Sequence, residues 1–441
     1  MSGSVQPRRQ SRAVRDGVLL VVAVLLTSTG CVAGSAASYG PLAGQTVEVA
    51  AIWTGAEQGS FREVLDEFER RTGATVRYTS GGDDLPTLLN SRLAGGAPPD
   101  VALLGQPGVV AQLARRGVLA ELNSEAARAV RANYAPFWVE LGTVDGRLYG
   151  VYYKVANKSV IWYRAAAFAE AGVAPPRTWP EFVEVTGTLG EAGVGTMAVP
   201  GADGWVLTDW FENVYLRLAG PQRYDQLAAR EIPWTHPSVV ESLRLLHRYW
   251  TLEPGIQTEP LQLKFVQAVA DVFGPLPKSA MLFQGDFVAA EIIRLGTVQV
   301  GDGARFFNWP SINGSPPAVV AAGDQAVALT DRPATMALIA FLASPAAAEI
   351  AASQGGFLSA NQHLDPSVYP DPVTQELARS LAEADLLRFD LSDLTPQAFG
   401  GGTSASMWRL LQEFLGDPAA DPVTMASRLE GAAARAFEDR P

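Results

Sequence analysis

The chain has 441 residues, of which 48% are hydrophobic and 18% are charged, and its formal net charge is −12. This apolar content is enough for a large folded core, and the length suits two domains or one large two-lobed domain. The negative charge argues against nucleic acid as a partner, because a phosphate polymer would be repelled.

The first residues have the pattern of a secretory leader. A head with four arginines precedes an apolar run over residues 18–26, which is too short to cross a bilayer as a stable helix. Small residues then lead to Cys31, the only cysteine. This segment resembles a bacterial lipobox, with Ser28 where the pattern usually has leucine, so we expect a lipoprotein signal peptide over residues 1–31 whose acylated cysteine is held in the lipid bilayer. The alternative is a soluble secreted protein with a free cysteine, which an oxidising compartment disfavours.

A chain of alternating elements follows the leader. Residues 32–45 are rich in glycine, alanine and serine, which predicts a flexible tether. From Thr46 onward strands alternate with helices, the pattern of parallel β/α units. The predicted strands cover 47–53, 74–80 and 99–105, and the predicted helices begin near Phe61 and cover 86–96 and 108–118.

The pattern changes at residues 148–164, which predict two extended pieces with no helix between them. A second α/β series then begins. Its predicted strands cover 196–201, 279–286, 305–310 and 318–329, and its predicted helices cover 178–190, 205–219, 238–251, 258–274, 287–295, 334–353 and 403–415.

Several local patterns occur in a specific order. They are NKSVIWYR (157–164), PPRTWPEF (175–182), GWVLTDWFENVYLRLAG (204–220), AMLFQGDFVAAEI (280–292) and GGFLSAN (355–361). In this order they resemble the extracellular solute-binding proteins of carbohydrate ABC importers, the family that includes maltose-binding protein. The α-glucoside and oligosaccharide binders are the most similar.

The resemblance implies an α/β, two-lobed periplasmic-binding-protein fold (type II-like), in which each lobe is a mixed sheet flanked by helices and hinge strands join the lobes. It implies lobe one at 46–153 plus 302–352 and lobe two at 154–301 plus 353–441, closing on ligand about the hinges. It further implies an extracytoplasmic monomer that passes a small carbohydrate to the membrane permease subunits of an ABC importer. No cofactor, metal or catalytic activity is expected.

A sugar site needs aromatic rings for the apolar C–H faces and carboxylates or amides for the hydroxyls. The chain has 10 Trp, 11 Tyr and 18 Phe but three His. Polar and aromatic candidates follow the first three predicted strands, where a parallel sheet opens to a cleft. They are Trp53, Asp83, Asp84 and Gln106. Trp53 is equally typical of a core, and Asp84 of a helix cap.

The extended segment at 148–164, where the chain first crosses between the expected lobes, and the helix predicted at 205–219 supply further candidates. Of the adjacent tyrosines at 152 and 153, alternation lets one point inward, and we favour Tyr153, with Asn157 beyond it. Trp205, Asp209 and Glu212 share one helix face. We expect Trp205 to stack on the ligand, and for Glu212 we favour a structural role, within the helix or paired with Arg217.

The remaining candidates lie at turns. In the strand-to-helix turn at 284–287, glycine would let backbone amides approach the ligand, and Asp286 is equally typical of a helix cap. The resemblance implies aromatic platforms at Phe287 and Trp408. The other candidates at these turns and at the hinge or cleft edge are Gln284, Gly285, Gly323, Asp324 and Gly356.

Two other functions stay open from the residues alone. The same fold would bind a polyamine or another small solute, because rings with carboxylates also bind cations. A lipid-anchored glycan-active enzyme would need two carboxylates across the scissile bond. The chain has no G-x-S-x-G, no H-E-x-x-H and no glycine-rich phosphate loop, which argues against common catalytic sites.

Overall fold

The structure, a computed structural model, describes residues 40–82, 85–401 and 406–438. These residues belong to one compact unit. The predicted signal peptide with Cys31, most of the predicted tether, and the candidates Asp83 and Asp84 lie outside the described residues.

The first sheet is built mainly from the N-terminal β/α units. Its six strands are β1 (Thr46–Ala51), β2 (Thr75–Ser80), β3 (Val101–Leu104), β6 (Gly150–Asn157), β11 (Val319–Ala328) and β12 (Leu387–Phe389). A separate hairpin of β4 (Thr143–Val144) and β5 (Arg147–Leu148) precedes β6. The order is β12-β11-β3-β1-β2, and β6 also pairs with β11. β1 is parallel to β2 and β3, whereas β11 is antiparallel to β3 and β6, so the sheet is mixed.

Strand alternation gives the first sheet a core on each face. The helices around this sheet are α1 (Gly55–Thr72), α2 (Leu85–Ala94), α3 (Pro107–Arg115), α4 (Ser124–Asn133), α5 (Pro136–Leu141), α13 (Pro333–Leu342) and α14 (Pro345–Ala352). Val47 and Val49 of β1 pack on one face with α1, α4, α13 and α14, and Ala50 packs on the other face with α2 and α3. Because β1 is parallel to β2 and β3, the carboxyl ends of these three strands lie at one edge of the sheet.

The second sheet has the order β10-β7-β9-β8. Its strands are β7 (Val160–Arg164), β8 (Met197–Ala198), β9 (Met281–Phe283) and β10 (Ala304–Asn308). β7 is antiparallel to β9 and β10, and β8 is parallel to β9. The core beside it is rich in rings: Trp210 is fully buried, 5.0 Å from Phe283 and 5.4 Å from Tyr249 between ring centroids.

Helices cover the second sheet and continue to the end of the described chain. They are α6 (Ala165–Ala171), α7 (Trp179–Glu191), α8 (Trp205–Ala219), α9 (Pro221–Ala228), α10 (Pro237–Trp250), α11 (Phe265–Phe273), α12 (Val288–Leu295), α15 (Pro372–Ala382), α16 (Leu391–Leu394), α17 (Gln397–Gly400), α18 (Met407–Gly416) and α19 (Pro422–Glu438). Two mixed sheets flanked by helices confirm the expected fold class.

The strand pairing moves two expected lobe boundaries: the first crossing, expected after residue 153, and the return to lobe one, expected at residue 302. β6 pairs with β11 of the first sheet and β7 belongs to the second, so the chain crosses at residues 158–159. β10 pairs along its whole length with β7. The return to lobe one therefore falls between Asn308 and Val319, and the expected start at residue 302 is wrong because β10 completes the second sheet.

The apolar stretch predicted as one helix over 334–353 forms two, α13 and α14. Ser344 caps the second helix by accepting a hydrogen bond from Ala347 N at 3.3 Å, and Pro345 occupies its first turn, where a proline is tolerated. Within the described residues no single helix has the length and apolarity to cross a membrane. The pair α13 and α14 meets that criterion jointly but is bent by 61°.

Candidate functional site

A cavity of about 950 Å³ lies between the first-sheet lobe and the second-sheet lobe, and we call it the large cavity. One wall comes from the ends of β1 and β3 with α2 and α3, and the other from the start of α8 and from α18. The residues that line it include Ile52, Gln106, Lys158, Trp205, Asp393 and Trp408. The structure thus brings the predicted site residues Gln106, Trp205 and Trp408 to one cleft.

A second space of about 90 Å³, the small cavity, lies next to the hinge. It is lined by residues of α1 and β6 on one side and of α12 on the other. These residues include Trp53, Glu57, Tyr153, Lys154, Ala290 and Gly356. Trp53 lines the small cavity and its neighbour Ile52 lines the large cavity, so the end of β1 contributes one residue to each.

A row of rings runs along the second-sheet lobe. The ring centroid of Trp205 lies 6.1 Å from that of Phe287 and 5.8 Å from that of Phe265. Trp408 lies on the other side of Trp205, packed against Gly204, where a Cβ would come within 2.6 Å of the Trp408 Cβ. A side chain at 204 would therefore displace Trp408, and glycine permits the close packing.

Aromatic residues also line the small cavity. Trp53 is 4% exposed and lies 5.0 Å from Phe61 and 5.9 Å from Tyr153 between ring centroids. The Tyr153 hydroxyl is buried and has no hydrogen-bond partner among the described residues. Tyr152 points away and packs on Trp138 at 5.3 Å. Strand alternation separates the two tyrosines, and Tyr153 is the one that lines a cavity.

Lys158 forms the centre of a buried ionic cluster beneath Trp205. Its Nζ lies 3.0 Å from Asp209 Oδ1 and 2.6 Å from Asp390 Oδ2, and 5.5 Å from the centroid of the Trp205 ring. Burial opposes the charge of Lys158, but Asp209 and Asp390 raise its pKa well above the usual value, so the ammonium stays charged. Burial also raises the pKa of Asp209 to about 7, and it raises that of Asp393 well above the usual range.

Lys154 forms a second ionic cluster at the small cavity. Its ammonium pairs with Glu57 and lies 5.7 Å from the centroid of the Trp53 ring. Asp324 of β11 is half-buried beside Lys154 and Glu57, and its side chain accepts a hydrogen bond from Trp53. Burial raises the pKa of Asp324 to about 6, and Lys154 limits that rise. The predicted candidate Asp324 therefore lies beside the Lys154 cluster, next to Gly323, and lines neither of the two cavities.

Other predicted contacts are buried in a network below the cleft. Asn157 is fully buried; its N–H donates to Asp286 Oδ1 at 2.6 Å, and its Nδ2 donates to Ser380 Oγ at 2.9 Å. Gln284 donates to Asp209 Oδ2 at 3.0 Å and accepts from Gly285 N at 3.1 Å. These side chains differ from the expectation of direct ligand contact, because their polar atoms are bonded to the protein and support the cleft from beneath.

Glu212 and Asp286 accept hydrogen bonds from other partners than those expected from the sequence. Glu212 is fully buried and does not pair with Arg217; it accepts hydrogen bonds from Leu391 N at 2.8 Å and Ser392 N at 3.0 Å, at the start of α16. Asp286 does not cap α12, since its carboxylate accepts from Asn157 instead. Both carboxylates thus join segments far apart in sequence.

Gly356 has a positive φ of 66°, which an L-residue rarely adopts. A Cβ there would also lie 2.6 Å from the Cβ of Ala290. The hinge segment after α14 can therefore approach α12 closely, at the edge of the small cavity, as expected for a cleft-edge turn.

The sequence reasoning did not single out Lys154, Lys158, Glu57, Asp390 or Asp393. The lysines had a detectable signal: the chain has four lysines, and two of them lie four residues apart in one predicted extended segment. The carboxylates Asp209, Glu212 and Asp390 lie within 4.8 Å of one another. Lys158 supplies the positive charge at that cluster, so its chemistry is that of an ion-pair network.

Comparison with known proteins is consistent with this geometry. Residues 53–248 match the family described as bacterial extracellular solute-binding protein. The osmoprotective compounds-binding protein GgtB of Synechocystis sp. is 32% identical over 84% of this chain and 88% of its own length. The alpha-glucosides-binding periplasmic protein AglE of Rhizobium meliloti is 32% identical over 85% of this chain and 84% of its own.

A solved structure extends the likeness to the fold. A chitin oligosaccharide binding protein superposes with a TM-score of 0.77 at 20% identity, over 89% of this chain and 99% of that one. The chain therefore belongs to the bacterial extracellular solute-binding protein family.

Proposed function

We propose that this protein captures a neutral carbohydrate, an α-glucoside in preference to other sugars, in the cleft between its lobes and delivers it to the permease of an ABC importer. The observation that carries the proposal is the pair of rings Trp205 and Trp408 on the wall of a large cavity that Lys158 and Asp393 also line. Phe287 lies beside Trp205, 6.1 Å away between ring centroids. Rings cover the C–H faces of a sugar, and charged groups form strong hydrogen bonds with its hydroxyls.

The relatives support the same conclusion. AglE is described as binding alpha-glucosides, and GgtB as binding osmoprotective compounds. The family is one of extracellular binding proteins and not of enzymes, in agreement with the sequence expectation. We propose that the two lobes close about the strand crossings at residues 158–159 and 309–318 when the ligand binds.

A ligand screen tests the function. Thermal unfolding of residues 32–441 is measured with neutral sugars (maltose, trehalose, sucrose, glucose) and with polyamines (spermidine, putrescine). We expect a concentration-dependent rise in melting temperature with at least one α-glucoside, because a ligand that binds only the folded state stabilises it. Stabilisation by the amines alone would overturn the proposal.

We further propose that Cys31 is acylated and tethers the protein to the outer face of the cell membrane. The family is extracellular, and the leader has a lipobox-like end. Two acyl chains are enough for stable anchoring. In a bacterial host the unmodified chain is expected in the membrane fraction and the Cys31→Ser variant in the soluble extracytoplasmic fraction. Equal partitioning of both proteins would contradict the proposal.

A further inference from the structure

One buried side of α8 carries a row of polar side chains. Asn213 follows Asp209 by four residues and precedes Arg217 by four, and Glu212 follows Asp209 by three, so all four lie on one broad side of the helix. None of them is more than 6% exposed. Buried polar groups cost free energy unless they are hydrogen-bonded. The partners of this row lie on the chain segments that pass between the two lobes.

Three such segments run beside α8, and we call them connections one, two and three. Connection one (158–159) joins β6 to β7, and connection two (309–318) joins β10 to β11. Connection three (390–393) leaves the first sheet after β12 and leads to α17, where Phe399 packs on Trp234 of the second-sheet lobe at 4.9 Å between ring centroids. Each side chain of the row bonds at least one of these connections.

Asn213 and Asp209 hold connection one. Asn213 Nδ2 donates to Lys158 O at 2.9 Å, and Asn213 Oδ1 accepts from Ser159 Oγ at 2.6 Å. Asp209 pairs with the Lys158 ammonium at 3.0 Å. Ser159 Oγ in turn accepts from Val320 N at 2.8 Å, at the start of β11. Connection one is therefore bonded to α8 on one side and to the first sheet on the other.

Arg217 and Glu212 hold the other two connections. One guanidinium nitrogen of Arg217 donates to Ala318 O, at the end of connection two, at 2.6 Å, and the other donates to Asn213 Oδ1 at 3.0 Å. The Glu212 carboxylate accepts from two backbone N–H groups of connection three, at 2.8 and 3.0 Å. One helix thus bonds all three connections.

The same elements form part of the wall of the large cavity. Trp205 is the first residue of α8, Lys158 belongs to connection one and Asp393 to connection three, and all three line that cavity. A ligand that contacts them therefore contacts parts of the chain that the buried row holds together.

Burial of these groups needs a reason, because apolar side chains in place of buried ionic ones are often neutral or stabilising. The Arg217 guanidinium bonds uncharged oxygens, those of Ala318 O and of the Asn213 backbone and side chain. What the polar row supplies is direction, since each hydrogen bond fixes one atom of a connection against one atom of α8.

We infer that Glu212, Asn213 and Arg217 are positioning residues that restrict the two lobes to a narrow range of relative orientations, by fixing the three connections against α8. This inference goes beyond the proposed function, because it concerns the hinge and does not depend on which ligand the cleft takes. A connection released from α8 reaches more conformations, and a smaller fraction of them then suits the ligand.

Pulsed electron paramagnetic resonance between spin labels on the two lobes tests the inference. Residues 32–441 contain no cysteine, so Arg128→Cys on α4 and Glu184→Cys on α7, both exposed, provide one pair of labels. The distribution of label distances is measured without ligand. It is compared among the labelled protein and two further variants of it, Arg217→Met, which releases connection two, and Glu212→Gln. Glutamine replaces one accepting oxygen at connection three by a donor.

We expect both variants to widen the distance distribution. Calorimetric titration with the best ligand of the screen should then show affinity about threefold weaker, because apparent affinity falls in proportion to the fraction of competent orientations. Thr186→Val is the matched control: Thr186 is fully buried in α7, donates to Phe182 O at 2.8 Å, lies 3.3 Å from the Tyr249 hydroxyl oxygen, and contacts none of the connections through these bonds. It should lower the melting temperature and leave the distribution unchanged.

Thermal unfolding checks that each variant folds. Unchanged width in a folded Arg217→Met or Glu212→Gln protein, or equal widening in Thr186→Val, overturns the inference and leaves the proposed function in place. Because the widths are measured without ligand, they decide the inference even where no sugar of the screen binds, a result that overturns the proposed function alone.

Discussion

Trp205→Ala should weaken α-glucoside binding at least tenfold. Its ring lines the large cavity, lies 6.1 Å from the Phe287 ring, and covers the Lys158 ammonium. The substitution removes a stacking surface worth about 0.5–1.5 kcal/mol beyond the area it buries, and a loss of about 1.4 kcal/mol is already tenfold in affinity. It also opens the Lys158 cluster to water, which weakens any hydrogen bond from that ammonium to a sugar. Calorimetric titration with the best ligand of the screen gives the affinity.

The control for this variant removes a ring of the same lobe that is outside the cleft. Phe306 of β10 is half-buried, packs on Trp162 at 6.0 Å between ring centroids, and lines neither cavity. Phe306→Ala should lower the stability of the fold and leave affinity unchanged. Trp408→Ala should resemble Trp205→Ala, because both rings line the large cavity. Unchanged affinity in a correctly folded Trp205→Ala protein would exclude this ring as a ligand platform.

Local sequence patterns predicted most of the elements around the cleft. The predicted helix over 205–219 has the same bounds as α8, and the first three predicted strands coincide with β1, β2 and β3 within a few residues. These elements are long, strongly periodic or bounded by glycine and proline, so hydrophobic spacing identifies them. Trp205 is the first residue of α8, and the start of α8 forms part of the wall of the large cavity, so the Trp205 ring lines that cavity.

What the sequence did not predict depends on contacts between distant segments. The membership of β10 in the second sheet follows from its pairing with β7, about 140 residues earlier. The partners of Glu212 lie 179 and 180 residues away in the chain, at the start of α16. Spacing on one helix suggested Arg217 as partner, but that arginine bonds Ala318 O and Asn213 instead. Periodicity carries no information on such pairings.

The same dependence on contacts between distant segments explains why the sequence did not identify Lys158 as a site residue. Lys158 is a site residue because Asp209 comes from α8 and Asp390 from the loop after β12, and only the folded chain brings them to one ammonium. A buried charge is tolerated where opposite charges and hydrogen bonds compensate its desolvation. The short α16 follows Asp390 directly and is held by Glu212, so this segment connects the first sheet, α8 and the cavity wall at Asp393.

Asp286→Asn should stabilise the fold at pH 8 and have little effect at pH 4. Asp286 is 3% exposed, and burial raises its pKa to about 7, a rise that the hydrogen bond from Asn157 and the charge of Lys154 only limit. In the unfolded chain its pKa is about 3.9. The folded state therefore binds this proton more tightly, so its contribution to stability is complete below pH ~4, falls as the pH rises to about 7, and is lost above that.

Asparagine keeps the oxygen that accepts from Asn157 N and replaces the other oxygen by an uncharged group, so it imitates the protonated carboxyl. The variant escapes the loss that the unmodified protein suffers between pH 4 and 7. Because a shift of one pKa unit is equivalent to about 1.4 kcal/mol, the gain in unfolding free energy at pH 8 should be on the order of 2 kcal/mol or more. Urea unfolding at pH 4, 6 and 8 measures it.

The difference between variant and unmodified protein isolates Asp286. Asp209 and Asp324 also have raised pKa values, about 7 and about 6, but they titrate in both proteins and cancel in the comparison. Lys154 and Glu57, the nearest charges, are likewise present in both. Asp302→Asn is the matched control, because it removes the same charge at an exposed turn. If Asp286→Asn shifts the unfolding free energy by the same amount at all three pH values, Asp286 is ionised in the folded protein throughout, and its burial beneath the cleft does not hold the proton.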